Sequence, residues 1–284
     1  MPGPQISVVI PVRDGALTLP ALLDALEAQT LARDRFEIVV VDNGSRDGSG
    51  ALARERGVRV VDEPRPNRAR ARNRGVDGAR GAQIAFTDAD CLPAPGWLSA
   101  LSACLAGAPL AGGAVELVAG ERPSRWEQLE RLWRFRQEAA VAQGWAATAN
   151  LGVRRDAFLA VAGFDPAYRH IGEDVDFCLR ARAAGYALVW CPRAVVRHRA
   201  ETTAPGVLRR AVIHGYSSNQ HARRWQDDFG WRHWRHPQPA VSGDWALRRF
   251  GEDAAGHREL LVAARAEYAA RVVGSAWAEL RRAR

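Results

Sequence analysis

The sequence predicts an α/β protein with a mostly parallel, doubly wound sheet and flanking helices. Short apolar segments alternate with helical segments through the first hundred residues. The fourth segment, residues 84–86, is an unbroken apolar run, and the first, residues 6–10, is interrupted only by Ser7. Such runs favour strands that are buried on both faces. A strand–helix order repeated in this way places parallel strands in one sheet, with helices on its faces.

Four strands and three helices are expected in residues 1–86. The strands span residues 6–10, 36–41, 58–61 and 84–86, and the helices span 18–29, 49–56 and 69–76. The first helix carries four leucines at helical spacing, at positions 19, 22, 23 and 26. Its preceding loop lacks the Gly-x-Gly-x-x-Gly pattern, which argues against a dinucleotide-binding dehydrogenase.

The chain after residue 96 continues the alternation of helices and strands. Helices are expected over residues 97–105, 121–143, 154–161 and 172–184, and strands over 110–118, 186–191 and 194–197. Beyond about residue 202 the chain predicts a basic helix over 205–225, an irregular stretch over 226–244 and a helix over 257–284. We therefore expect one domain over residues 1–202 and a basic helical C-terminal extension over 203–284.

Composition excludes several kinds of chemistry. The chain has 284 residues and a net charge of +8, and all 40 of its basic residues are arginines. Without lysine there is no P-loop lysine, no Schiff base and no lysine general base. No apolar run approaches the roughly 18 residues of a membrane span, although the basic surface is compatible with peripheral contact at the inner membrane face.

The four cysteines form no Cys-x-x-Cys pair, which argues against a structural zinc site. They are Cys91, Cys104, Cys178 and Cys191. Because no secretory signal precedes them, we expect four reduced thiols in a cytoplasmic protein.

Two acidic segments carry the candidate chemistry. Asp88 and Asp90 follow the fourth strand at i, i+2 spacing, so their carboxylates converge if strand geometry persists. Such a pair is a hard oxygen site for Mg²⁺ or Mn²⁺; a surface turn with two solvated carboxylates is the alternative. Glu173, Asp174 and Asp176 begin a later helix, where the macrodipole alone also favours acids.

Eight stretches, taken in order, resemble a family 2 glycosyltransferase of the GT-A fold. They span about 200 residues and are Val8–Arg13, Val40–Ser45, Ala71–Gly75, Phe86–Asp90, Ala149–Leu151, Gly163–Asp165, Gly172–Asp176 and Val196–His198. Two departures stand out: Asp42-Asn43-Gly44-Ser45 replaces the frequent Asp-Asp-Gly-Ser, and Val12-Arg13-Asp14 replaces an aromatic residue and Asn after the first strand.

The resemblance implies inverting sugar transfer from a nucleotide-diphosphate sugar to an acceptor hydroxyl. It assigns residues 1–118 to the nucleotide-sugar half and 119–202 to the acceptor half. Asp174 is then the general base, and Glu173 orients the acceptor. Mn²⁺ or Mg²⁺ sits on Asp90, with Asp88 and His198 as further candidate ligands. The donor pocket includes Pro11, Arg13, Asp42, Arg72, Asp88 and Asn150. UDP is the expected carrier, with GDP and dTDP as alternatives, and the acceptor is a glycan, a lipid or a small molecule.

Two other functions remain open at this stage. A nucleotidyltransferase would want a glycine-rich basic loop after the first strand, and Pro11–Gly15 is a poor version of one. A non-catalytic sugar- or nucleotide-binding module would not need Asp90 and Asp174 together. The chain has no RNP, KH or zinc motif, so no nucleic-acid partner is expected.

Overall fold

The computed structural model describes residues 3–118, 124, 126–127, 136–169, 171–199, 203–225, 266, 269–278 and 281. The chain divides into two compact units. The first unit contains residues 1–116, 135–169 and 173–198, and the second contains residues 117–134, 170–172 and 199–284.

The strands of the described chain form one sheet with a parallel half and an antiparallel half. They are β1 (Ile6–Val12), β2 (Phe36–Asp42), β3 (Arg59–Asp62), β4 (Gln83–Phe86), β5 (Cys91–Pro93), β6 (Leu110–Val118), β7 (Leu151–Arg154) and β8 (Leu188–Arg199). Their spatial order is β3-β2-β1-β4-β7-β6-β8-β5. The first four strands pair in parallel, and β7 pairs antiparallel with both β4 and β6. The predicted α/β class is confirmed, and its parallel part consists of β1 to β4.

Helices connect the strands close to the predicted bounds. They are α1 (Leu19–Glu27), α2 (Ser49–Glu55), α3 (Arg68–Gly78), α4 (Trp97–Gly107), α5 (Gln137–Ala142), α6 (Arg155–Ala160), α7 (Glu173–Ala183) and α8 (Ala204–Arg224). Most of the helix predicted over 121–143, and the irregular stretch predicted over 226–244, lie outside the described residues. Within 257–284, the described residues 266, 269–278 and 281 are helical.

The two faces of the parallel strands bury separate apolar clusters. Because side chains alternate along a strand, Val8 and Ile10 lie in the cluster that contains the leucines of α1, while Val9 lies in the other. On that second face α3 approaches the sheet closely at Gly75. A Cβ atom there would lie 2.4 Å from Val9 Cγ1, so a larger residue would push α3 off the sheet.

One strand replaces the two that were predicted near the end of the first unit. The prediction of separate strands at 186–191 and 194–197 is wrong, because β8 runs unbroken from Leu188 to Arg199. Pro192 lies within it and lacks a backbone N–H. The residues of β8 that pair with β5 are Val196 to His198, so Pro192 lies outside that paired segment.

In the second unit, α8 crosses the helical segment 269–278 at two glycines. A Cβ atom on Gly215 would lie 1.9 Å from the Arg271 carbonyl oxygen, and one on Gly274 would lie 1.8 Å from the Val212 oxygen. The rings of Tyr216 and Trp277 pack nearby, 5.0 Å apart. Among the described helices, none is long and apolar enough to span a bilayer.

The prediction of four reduced thiols is wrong for two of them. Cys104 on α4 and Cys191 on β8 form a disulfide, whereas Cys91 and Cys178 are free and buried. The pairing was hidden in the sequence because the two cysteines are 87 residues apart, and only the packing of α4 against the sheet brings them together.

Thiol titration of the chain unfolded without reductant should count two thiols, those of Cys91 and Cys178. The variant C104S should lose about 2–4 kcal/mol of unfolding free energy, because the bond closes a long loop. As a control, dithiothreitol should lower the unfolding midpoint of the wild type and leave that of C104S unchanged. Four thiols in the unfolded wild type would contradict the crosslink.

Candidate active site

The site lies at the edge of the sheet where the parallel strands end. β1 and β2 run in register, with Val12 beside Asp42, and Phe86 of β4 lies beside Val9. The loops that follow these strands therefore share one edge, which is where ligands bind in open α/β sheets.

Asp88 and Asp90 lie on a tight turn rather than on an extended strand. β4 ends at Phe86, and the Cys91 N–H donates to the Asp88 carbonyl oxygen at 3.0 Å. The Thr87 hydroxyl anchors the turn by donating to the Ala149 carbonyl at 3.1 Å. Strand geometry thus stops before the acids, and the two carboxylates meet different partners.

The side chain of Arg72 connects the two acidic segments. Its Nη2 donates to Asp88 Oδ1 at 2.8 Å, and its Nη1 donates to Glu173 Oε1. The guanidinium is almost wholly buried, with 1% of the residue exposed. Asn67 caps α3 by accepting the Arg70 N–H at 3.0 Å, which fixes the helix that presents Arg72. Arg72, Asp88 and Glu173, which the sequence analysis named as candidate site residues, are therefore in contact.

The two carboxylates bonded to Arg72 differ in pKa. Burial alone would raise the pKa of Asp88, but the charges of Arg72, Arg68 and His198 bring it below its ordinary value. Burial raises the pKa of Glu173 despite its contact with Arg72. Asp88 is therefore the anion that Arg72 stabilises most clearly. Arg68 was not singled out in the sequence, although its i, i+4 spacing places it on the same helix face as Arg72.

Asp174 is a half-buried carboxylate held by two backbone donors. Its Oδ2 accepts the Thr148 N–H at 3.3 Å, and its Oδ1 accepts the Val175 N–H at 2.9 Å. Burial raises the pKa of Asp174 above its ordinary value, even though Arg72 and these hydrogen bonds act in the opposite direction. A partly buried, oriented carboxylate with a raised pKa can accept a proton from a substrate.

Asp90 and His198 form a candidate metal pair. His198 Nε2 lies 3.5 Å from Asp90 Oδ1, and β5 and β8 bring them close by pairing Cys91 with His198. The Cys91 sulfur lies in the same group, but burial and the nearby aspartates raise the pKa of its thiol well above the ordinary value. A carboxylate and an imidazole suit Mn²⁺, and the 46% exposure of the Asp90 side chain leaves room for further ligands. Among the described residues, the group of possible metal ligands consists of Asp90, Cys91 and His198 and does not include Asp88.

Pro11, Arg13 and Asp42 lie at the ends of β1 and β2. Asp42 is half-buried, and its Oδ1 accepts the Ser45 N–H at 2.9 Å. A Cβ atom on Gly50 would lie 2.3 Å from Asp42 Oδ2, so α2 sits directly against this carboxylate. Arg13 is exposed. The structure thus places all three at the edge of the sheet that carries the acids.

Two buried asparagines hold the walls of the site. Asn43 donates to the carbonyls of Glu63 and Arg65, both at 2.9 Å, and accepts the Asn67 N–H at 2.9 Å. An Asp at position 43 could not make both donations, which gives this departure from the family pattern a physical reason. The loop that Asn43 holds leads directly into α3 and its cap.

Asn150, expected in the donor pocket, is fully buried. It accepts from the Trp97 indole at 2.7 Å and donates to the Ala114 and Ala194 carbonyls, both at 2.8 Å. A donor sugar could contact this amide only if the side chains that bury it moved aside. Its surroundings therefore favour a framework role.

The sequence matches the model of glycosyl transferase family 2 over residues 7–154, and that of glycosyl transferase family group 2 over residues 100–250. Glycosyltransferase AglE from Haloferax volcanii is 32% identical over 207 residues, which cover 69% of this chain and 67% of AglE. The pre-mycofactocin glycosyltransferase from Mycobacterium tuberculosis is 32% identical over 236 residues, which cover 78% of this chain and 48% of that protein. The chain thus spans about half the length of the second relative.

Two solved structures share the fold. Mannosyltransferase PcManGT from Pyrobaculum calidifontis, in complex with GDP-Man and Mn²⁺, aligns with a TM-score of 0.67 at 20% identity, over 98% of this chain and 88% of that one. S. aureus TarS 1-349, in complex with UDP, aligns with a TM-score of 0.54 at 16% identity, over 97% of this chain and 91% of that one. At these identities the likeness establishes the architecture.

Replacing Arg72 by Met should destabilise the protein by about 3–5 kcal/mol, because it leaves the buried Glu173 and the Asp88 carboxylate without their cation. Urea unfolding at neutral pH measures the loss. The deficit should narrow at lower pH, where Glu173, whose pKa burial raises, takes up a proton. The exposed Arg74 lies on the same helix, and R74M is the matched control, expected within about 0.5 kcal/mol of the wild type. Equal effects of the two substitutions would rule out this role for Arg72.

Proposed function

Because this chain belongs to glycosyl transferase family 2, we propose that it transfers a sugar from a nucleotide-diphosphate sugar to an acceptor hydroxyl with inversion at the anomeric carbon. The family match establishes the enzyme class. The observation that carries the mechanism is Asp174, a half-buried carboxylate with a raised pKa that is oriented by two N–H groups. The family match disfavours a nucleotidyltransferase. The oriented Asp174 disfavours a non-catalytic binding module.

Asp174 takes the proton of the acceptor hydroxyl. The acceptor oxygen forms its bond to the anomeric carbon as the bond from that carbon to the diphosphate oxygen breaks, and the diphosphate leaves with the electron pair. The N–H groups of Thr148 and Val175 each hold one oxygen of the carboxylate, which restricts its rotation. Glu173 directly precedes Asp174 and accepts a hydrogen bond from Arg72, which helps to fix the position of the base.

Asp90 and His198 would hold Mn²⁺ or Mg²⁺, with Asp88 as a nearby anion. When bound, such an ion supplies positive charge to the leaving diphosphate. The chain's own part is to keep Asp88 ionised through Arg72 and to keep Asp90 open to solvent. The donor set, one carboxylate and one imidazole, supports this assignment.

The nucleotide would bind over Pro11, Arg13 and Asp42, whose loops end the first two strands. Asp42 is half-buried, with Oδ1 accepting the Ser45 N–H and Gly50 packed against Oδ2, and its carboxylate keeps lone pairs that could accept a base N–H. Arg72 is buried between two carboxylates, which supports an indirect role through Asp88 rather than direct contact with the base. Calorimetric titration of UDP, GDP and dTDP, each with and without Mn²⁺, tests the donor site. UDP is expected to bind tightest, and no metal-dependent binding by any of them would contradict the donor assignment.

D174N should lower kcat by about 10²–10⁴-fold while leaving nucleotide affinity unchanged, because only the proton acceptor is lost. The exposed Asp156 offers the matched control D156N, which should transfer sugar at the wild-type rate. Single-turnover transfer and calorimetry on the same samples separate chemistry from binding. Full transfer activity in D174N would exclude Asp174 as the base.

The pH dependence of kcat/KM should report the raised pKa of Asp174. A base must be deprotonated to act, so activity falls as the pH drops through its folded-state pKa. Because burial raises that pKa, the acid limb should lie above the ordinary aspartate value of about 3.9. Placement of the limb at or below that value would contradict the assignment.

D90N and H198A should each weaken Mn²⁺-dependent nucleotide binding by tenfold or more, about 1.4 kcal/mol, because each removes a candidate ligand. Metal-free nucleotide binding should change little, and D156N again serves as the control. Calorimetry with and without Mn²⁺ makes both comparisons. If nucleotide binding depended on Mn²⁺ in both variants as it does in the wild type, Asp90 and His198 would not be the metal ligands.

A further inference from the structure

A cavity lies at the opposite edge of the sheet from the acids. It has a volume of about 300 Å³ and opens near the N-terminal ends of β2 and β3. Three of its lining residues are arginines, Arg33, Arg59 and Arg80, and we call it the arginine cavity. From Phe36 in its wall, β2 runs to Asp42 at the candidate active site, a distance of about 20 Å at ~3.3 Å per residue. The arginine cavity is therefore separate from the donor site.

A buried carboxylate, Glu37, organises the floor of the cavity. Its Oε1 accepts the Ser7 hydroxyl at 2.7 Å and the Arg80 N–H at 2.5 Å, and its Oε2 accepts Arg80 Nε at 2.9 Å. Burial alone would raise the pKa of Glu37, but the hydrogen bonds from Ser7 and Arg80 bring it below its ordinary value. The carboxylate therefore stays ionised, and its charge draws two guanidinium groups to the cavity, with Arg59 Nη1 at 4.0 Å.

The three guanidinium groups keep most of their hydrogen-bond donors unused. Arg33 Nη1 donates to the Phe36 carbonyl at 2.9 Å, and its guanidinium lies 4.9 Å from the centre of the Phe36 ring. Arg80 uses Nε on Glu37, and Arg59 only approaches that carboxylate. A guanidinium carries five N–H donors, and the described part of the chain supplies no acceptor to the others. Asp34 and Glu37 also line the cavity, which leaves its lining with a net positive charge.

We propose that the arginine cavity binds a phosphate monoester group. Guanidinium groups reaching one cavity from three segments of chain can each give charge-assisted hydrogen bonds to a tetrahedral dianion. The cavity exceeds the size of a phosphate, and its wall includes Phe36 and Val58, so part of the esterified group fits against an apolar surface. A soluble phosphorylated metabolite and the headgroup of phosphatidic acid share this chemistry. The site is additional to the donor site and does not depend on the proposed mechanism.

Calorimetric titration of the full chain with inorganic phosphate at constant ionic strength tests the site. The wild type should show saturable binding, and R59Q and R33Q should each weaken it by about tenfold through loss of a charge-assisted bond. Both arginines are exposed, so both variants should keep the wild-type unfolding midpoint. R74Q removes the same charge from an exposed position outside the cavity and should bind as the wild type does. Absence of saturable binding, or equal weakening in R74Q, would overturn the proposal.

Two further arms locate the anion and its source. R13Q should retain phosphate binding, because it removes an exposed cation from the donor site alone. Loss of binding in R13Q with full binding in R59Q would place phosphate at the donor site and overturn the proposal. Vesicles of phosphatidylcholine with and without phosphatidic acid are then tested by flotation. If vesicles with phosphatidic acid capture the wild type and R74Q but not R59Q or R33Q, the ligand is a lipid headgroup. Phosphate binding without such capture identifies a soluble monoester.

Discussion

A buried guanidinium, that of Arg72, joins the two acidic segments on which the site depends. Removing such a cation from water is costly unless anions compensate it, and Asp88 and Glu173 do so from different parts of the chain. The contact therefore fixes the turn after β4 relative to the start of α7. Asp174 follows Glu173 directly, so the position of the proposed base depends on an arginine that does not bond to it.

The residues that support the site are buried, whereas those proposed to act in it are partly exposed. The amides of Asn43 and Asn150 are buried, and all of their N–H groups are used within the protein. Asp90 and Asp174 are only half-buried. Satisfied amides make the walls rigid, since leaving any of their donors unpaired would be costly. The carboxylates, in contrast, keep acceptor capacity for a substrate or an ion.

The fold was largely predictable because apolar runs and helix boundaries are local properties of the sequence. The bounds of β4, β6 and α3 fall within two residues of expectation. The errors arose where tertiary contacts decide. Pro192 lies within β8, although a proline usually predicts a strand end, and Cys104 meets Cys191 only through packing. Likewise, the acids were visible as motifs, whereas the bond between Trp97 and Asn150 spans 53 positions and has no local pattern.

The position of β4 has a consequence for biosynthesis. β4 pairs with β1 on one side and with β7 on the other. As the chain emerges from the ribosome, β1 to β4 can assemble first, but β7 is not made until Leu151 to Arg154 follow. During that interval β4 is an uncovered sheet edge with the apolar sequence Ile84-Ala85-Phe86 and no charged residue. Such an edge is open to pairing with other chains, so nascent chains would need chaperone protection or rapid completion of the sheet.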